Sequence, residues 1–123
     1  MKIKSLSPHE HVHQLTLIKW FDREYPALSG RIFAIPNGGL RNISVAVKLK
    51  LEGVRPGVPD LFLPHPSNGY HGLFIELKNE KGRPTKEQID WVEYLSASGY
   101  KAEIVYGWIE ASEFIADYLS KKD

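Results

Sequence analysis

The stretch from Gly57 to Lys78, GVPDLFLPHPSNGYHGLFIELK, constrains this chain more than any other. Val58 to Leu63 and Leu73 to Lys78 read as two strands. Between them Pro64, Pro66, Ser67, Asn68, Gly69 and Gly72 are loop formers, so the two strands should pair as a hairpin. Strand side chains alternate between faces, which sets Glu76 and Lys78 on one face and Ile75 and Leu77 on the other. Charges closing an otherwise apolar strand require a reason, because lone charges are seldom buried. Pairing across the loop brings Asp60 toward Glu76. Two carboxylates and a lysine would then meet at one end of a small sheet.

Hard oxygen ligands of this kind suit Mg²⁺, which takes one or two carboxylates and completes its octahedron with water and substrate phosphate. The ion polarises a phosphoryl oxygen and makes a bound water more nucleophilic. A neighbouring lysine can orient that water or offset charge developing on the phosphate. The same residues also describe an ordinary hairpin, with a solvated Glu/Lys face and Asp60 capping a turn. An E-x-K triplet alone does not separate these readings; the P-D that precedes it across a loop strengthens the first.

A chain of 123 residues suits one domain spanning 1–123, long enough for a real core. With no cysteine, disulfides and thiolate zinc sites are excluded. No apolar run reaches membrane-spanning length, and the opening MKIKSLSPHEHVHQ lacks the apolar centre of a signal peptide. These features predict a cytoplasmic setting and no membrane partner. The net charge of +1 does not announce a nucleic-acid binder, but its distribution is uneven. Arg31, Arg41, Lys48, Lys50 and Arg55 face Glu52 alone between Arg31 and Val58, whereas eight acids meet four bases between Thr85 and Asp123. One half is suited to phosphates and the other to solvent; ordinary surface scatter gives the same counts.

Ser7-Pro8-His9-Glu10 is a helix start, with Ser7 as N-cap and Glu10 completing a capping box. The helix should run to Tyr25, before Pro26, with Leu17, Ile18 and Phe21 as its apolar stripe. Gln14 and Glu10 continue that stripe, so Glu10 is either a cap or a group aimed at the end of the sheet. His9 and His13 form an i, i+4 pair able to chelate a metal, but no third ligand stands near, and an exposed turn is the preferred reading. Arg31–Ile35 reads as a strand closed by Pro36-Asn37-Gly38-Gly39, a tight turn whose glycines also suit close approach of a sugar–phosphate backbone. Asn42–Leu51 reads as a helix with Ile43, Ala46, Val47 and Leu51 apolar, stopped by Gly53. Thr85-Lys86-Glu87-Gln88 is a second capping box, opening a helix to Ser98 with Ile89, Val92 and Leu95 inward. Gln88 shares the ambiguity of Glu10. Lys101–Tyr106 is a strand, and Glu110–Leu119 a closing helix. The order α-β-α-β-β-α-β-α predicts an α/β fold, a mixed sheet flanked by helices, with a right-handed parallel crossover from Phe74 to Tyr106.

This pattern resembles the PD-(D/E)xK nuclease fold, and within it the VRR-NUC family of virus-type replication–repair nucleases. The matching residues are Glu10 and Gln14, then Ile35-Pro36-Asn37-Gly38-Gly39 and Arg41, then Gly53-Val54 and Gly57-Val58-Pro59-Asp60-Leu61. Gly72–Lys78, Gln88, Trp91 and Gly99-Tyr100 follow, so the resemblance covers residues 10–119. It implies Asp60 and Glu76 as metal ligands with the backbone carbonyl of Leu77 beside them, Lys78 as the catalytic lysine, Glu10 as a further acidic member and Gln88 as a supporting polar group. It implies Mg²⁺ or Mn²⁺ as cofactor and DNA as partner. The glycine-rich turn at Asn37 and Gly38 and the basic residues Arg41, Lys48, Lys50 and Arg55 are the candidates for contacts to its backbone. Small stand-alone members are similar to homodimeric Holliday-junction resolvases, which implies branched DNA, a two-fold dimer and a bacterial or phage-infected cell. The chain as read carries no additional DNA-binding module. The rival reading is a nucleic-acid-binding module on the same fold without turnover.

Overall fold

Strand β3, Leu73–Lys78, is the axis of the computed structural model, which describes residues 8–36 and 43–121. Ser7, Asn37, Gly38, Arg41 and Asn42 lie outside the described residues. Around β3 the order is α1 (Pro8–Glu24), β1 (Phe33–Ala34), α2 (Ile43–Leu51), β2 (Leu61–Leu63), β3, α3 (Lys86–Ala97), β4 (Lys101–Tyr106) and α4 (Gly107–Leu119). A short 3₁₀ turn, Pro26–Leu28, follows α1. The sheet order is β1-β2-β3-β4. Strands β1, β2 and β3 pair antiparallel, and β3 pairs parallel with β4 through the α3 crossover. This is the expected mixed sheet flanked by helices.

One face of the sheet is aliphatic. Leu73, Ile75 and Leu77 of β3 join Leu61 and Leu63 of β2 and Val105 of β4. Leu17 and Phe21 of α1 and Ala111, Ile115 and Tyr118 of α4 complete this core. Each large side chain so buried contributes about 1.5–3 kcal/mol. The other face begins aromatic. Phe62 stacks on Phe74 with centroids 4.2 Å apart, and Tyr100 meets Phe74 edge-on at 5.2 Å. Its far end carries Glu76 and Lys78, both 3% exposed.

Several elements differ from their expected bounds, each for a local reason. Strand β1 keeps only two residues of Arg31–Ile35, because its partner β2 is three residues long and Ile32 turns into the core. Strand β2 starts at Leu61 rather than Val58, since Pro59 has no N–H for the ladder. Helix α4 starts at Gly107, three residues before Glu110. Gly107 makes the strand-to-helix turn at φ +84°, and the Glu110 carboxylate reaches back to accept the Tyr106 N–H. Ile89 faces outward at 41% exposure, leaving Val92 half-buried and Leu95 buried. In α2, Ala46 is buried whereas Val47 and Leu51 are exposed. Among the described residues no helix is long and apolar enough to cross a membrane.

Candidate active site

Asp60 and Glu76 meet because the hairpin register puts them there. Leu61 pairs with Ile75, so one step further along the ladder Asp60 stands opposite Glu76. Pro59 is fully buried and anchors the approach to β2. The Asp60 carbonyl accepts from Ile35 N at 2.7 Å, and its carboxylate Oδ2 accepts from Leu77 N at 2.8 Å. The Asp60 side chain therefore serves as the strand partner for Leu77 where the β2 ladder ends. Just upstream, Gly57 has φ +85°, and a Cβ there would lie 2.5 Å from the Glu87 carbonyl carbon. Only glycine lets this segment pass so close to the first turn of α3.

That first turn delivers Gln88. Thr85 Oγ1 accepts from Gln88 N at 3.2 Å, and Gln88 Oε1 accepts from Thr85 N at 2.8 Å, a complete capping box. The other end of the same amide is also used: Gln88 Nε2 donates to Glu76 Oε2 at 3.1 Å. One Gln88 amide thus both caps α3 and holds the Glu76 carboxylate.

Lys78 lies on the face of Glu76, with Nζ 3.7 Å from Glu76 Oε2. Its stem packs under Gly82, where a Cβ would come within 3.2 Å of Lys78 Cδ. Glu10, from the first turn of α1, is 7% exposed, and its charge is felt at both Asp60 and Glu76. Among the described residues the buried charged side chains are Glu10, Glu76 and Lys78. The sequence-predicted residues Glu10, Asp60, Glu76, Lys78 and Gln88 are thus brought together.

The electrostatics are those of crowded carboxyls. Burial, then the charge of Asp60, raises the Glu76 pKa to about 9, against the pull of Lys78. Burial likewise raises Asp60, opposed by the Leu77 N–H. Without a cation, Glu76 therefore holds a proton at neutral pH, and the two carboxyls sit close enough to share it. Among the described residues Glu76 Oε1 is buried with no hydrogen-bond partner. A buried carboxylate oxygen without a donor is poorly satisfied unless a proton or a cation occupies the space before it.

The donor set fits a hard divalent ion. Among the described residues no three His, Asp or Glu side chains are gathered as a ready-made cage. What converges is a pair of carboxylates with Glu10 behind, all oxygen donors. Such a pair suits Mg²⁺ or Mn²⁺, which keep part of their shell for water and phosphate.

The histidine pair takes a different part from either expected reading. His9 is exposed, but His13 is half-buried, and its Nδ1 accepts the Trp108 N–H at 3.1 Å. His13 thereby caps α4 across the α1–α4 contact. No local sequence signal reports a partner 95 positions away. With Asn79, Glu80 and Lys81 the two histidines line a cleft of about 310 Å³, and His9 and Asn79 are the chain neighbours of Glu10 and Lys78. The basic side chains Lys48, Lys50 and Arg55 are exposed on and just after α2, and Arg55 Nη1 donates to Lys50 O at 2.9 Å. No described contact joins them to the carboxylate cluster.

No curated protein matches the sequence. A solved structure described as a VRR_NUC domain protein is similar, with 28% identity, a TM-score of 0.79, and coverage of 93% of this chain and 90% of its own. The VRR-NUC domain family model matches residues 8–108, a span that holds α1, the hairpin, α3 and β4. On that match, the chain belongs to the VRR-NUC domain family and carries its nuclease-type fold.

Proposed function

We propose that this protein is a divalent-metal-dependent endonuclease that hydrolyses DNA phosphodiester bonds. The observation that carries the reading is the buried Glu76–Lys78 pair, with the half-buried Asp60 against it and the undonated Glu76 Oε1. Folding buries these charges at a cost, and metal-assisted catalysis is the use that accounts for it. Asp60 and Glu76 would hold Mg²⁺ or Mn²⁺, together with the Leu77 carbonyl. When bound, the ion supplies Lewis-acid activation of phosphate and water. Gln88 fixes the Glu76 carboxylate by holding Oε2. Asp60 is fixed by the Leu77 N–H. The Lys78 ammonium, on a stem packed against Gly82, orients the attacking water and offsets the charge that builds on the phosphate. Glu10 adds negative charge behind the pair and raises its demand for a cation.

Branched or junction DNA is the substrate we propose, with a homodimer as the acting unit. Symmetric cutting of two strands by one small site requires a two-fold pair. The support here is the family resemblance.

The test is cleavage of labelled four-way junction, flap and linear duplex DNA, in Mg²⁺, Mn²⁺ or EDTA, by the wild type and Lys78→Ala. Metal-dependent nicking lost in Lys78→Ala, and strongest on the junction, is expected. Binding without cleavage in every metal would replace this reading with a non-catalytic module.

A further inference from the structure

We propose that the cleft lined by His9, His13, Asn79 and Lys81 is a phosphate subsite, which seats the DNA backbone phosphate next to the one being cut. This rests on the nuclease reading for what lies beside it, and goes beyond that reading in assigning the cleft.

The position comes from chain geometry. His9 is the neighbour of Glu10 on α1, and Asn79–Lys81 directly follow Lys78 at the end of β3. Both walls of the cleft therefore grow from members of the carboxylate–lysine cluster. A strand with one phosphate at that cluster must send its next phosphate along an adjoining surface, and this cleft is such a surface.

The chemistry comes from the donors. His13 Nδ1 accepts the Trp108 N–H, which fixes the tautomer: the proton is on Nε2, making that nitrogen a donor. Asn79 Oδ1 accepts the Lys81 N–H at 3.0 Å, so this amide too has its oxygen committed and its NH₂ as the donating end. Lys81 is exposed and brings an ammonium, and His9 a second imidazole. The set is rich in donors and suited to an oxyanion. Glu80 is the exception, a carboxylate on the same wall. Its repulsion of phosphate keeps the contact weak, as a site that must release product needs.

The presence of Glu80 gives the test two opposite signs. Fluorescence anisotropy of labelled duplex and junction DNA, in Ca²⁺ to hold back cleavage, is compared for wild type, Lys81→Ala, His9→Ala and Glu80→Gln. Lys81→Ala should weaken binding about fivefold on every sequence tested and lower the salt slope by about one phosphate. His9→Ala should weaken it less, and Glu80→Gln should tighten it. In Mg²⁺, Lys81→Ala should raise KM and leave kcat within about twofold. Thermal melting checks that each variant is folded, which these exposed positions favour. Wild-type cleavage with binding unchanged in Lys81→Ala and Glu80→Gln would overturn the subsite and spare the nuclease. Weakened binding in Lys81→Ala by a wild type that never cleaves would sustain the subsite and remove the catalytic reading. A wild type that does not bind DNA overturns both.

Discussion

Strand β3 is buried except at the half-buried Phe74, yet its two faces are made of opposite materials. Leu73, Ile75 and Leu77 enter an aliphatic core shared with α1 and α4. Phe74, Glu76 and Lys78 face the other way, one aromatic contact followed by two charges, both about as buried as the leucines. The first face stabilises the fold by removing hydrocarbon from water. The second works against the fold: it desolvates a carboxyl until its pKa reaches about 9 and leaves one oxygen undonated. The comparison teaches where to look for function. A sheet that holds together on one face can carry a costly arrangement on the other, and the rigid core behind keeps that arrangement in place.

The largest expected effect belongs to the charged face. Lys78→Ala should lower metal-dependent cleavage by about 10³-fold, roughly 4 kcal/mol of barrier, with little loss of stability in a melt. On the aliphatic face, Ile75→Ala should do the reverse. A cavity in the middle of this core should cost about 3 kcal/mol by urea unfolding, with activity retained at temperatures where the variant stays folded. If both variants lose stability equally, the two faces are one core and the distinction fails.

A pH series sharpens the contrast further. The folded-state pKa of Glu76 lies above its unfolded value of 4.5, so between about pH 4.5 and about pH 9 the native state holds a proton that the unfolded chain has released. Stability is therefore greatest at the acid end of that window and should fall as pH rises through it, by several kcal/mol. The raised Asp60 pKa acts in the same direction. Glu76→Gln should flatten the slope and stabilise the metal-free protein by about 1 kcal/mol near pH 8, while removing the stabilisation that Mg²⁺ gives the wild type. A slope unchanged in Glu76→Gln would place the titrating group elsewhere.

The smallest effect separates the two jobs of Gln88. Gln88→Ala removes cap and site contact together and should cost about 1 kcal/mol. Gln88→Glu keeps an acceptor for the Thr85 N–H but loses the donor to Glu76. It should retain stability to within about 0.5 kcal/mol and still lose cleavage.

Much of this was legible in the residue order. The hairpin, β3 and β4 followed from alternation and turn residues, and the Thr85 cap from its box. Asp60, Glu76 and Lys78 could be grouped because two strands adjacent in the chain, pairing antiparallel across their loop, bring Asp60 toward Glu76. What stayed hidden depends on contacts distant in sequence. Gly57 against Glu87, Gly82 over Lys78, and His13 at Trp108 are each packing events with no local signature. Ile89, Val47 and Leu51 have the right helical spacing for burial but no partner surface, so periodicity alone turned them the wrong way. Glu10 and Gln88 were ambiguous for a good reason. For Gln88 one amide both caps α3 and reaches Glu76, and for Glu10 the burial is described whereas the proposed cap, Ser7, lies outside the described residues.

The bond between His13 and Trp108 has a consequence for how the molecule comes into being. During synthesis Glu10, Asp60, Glu76 and Lys78 all leave the ribosome before Trp108 does. Helix α1 gains its main helical neighbour only when α4 exists to pack on it, and His13 receives its proton donor only then. A nascent chain thus carries every charged member of the cluster for some time without the joint between α1, which bears Glu10, and α4. The proposed activity would wait until α4 has docked on α1.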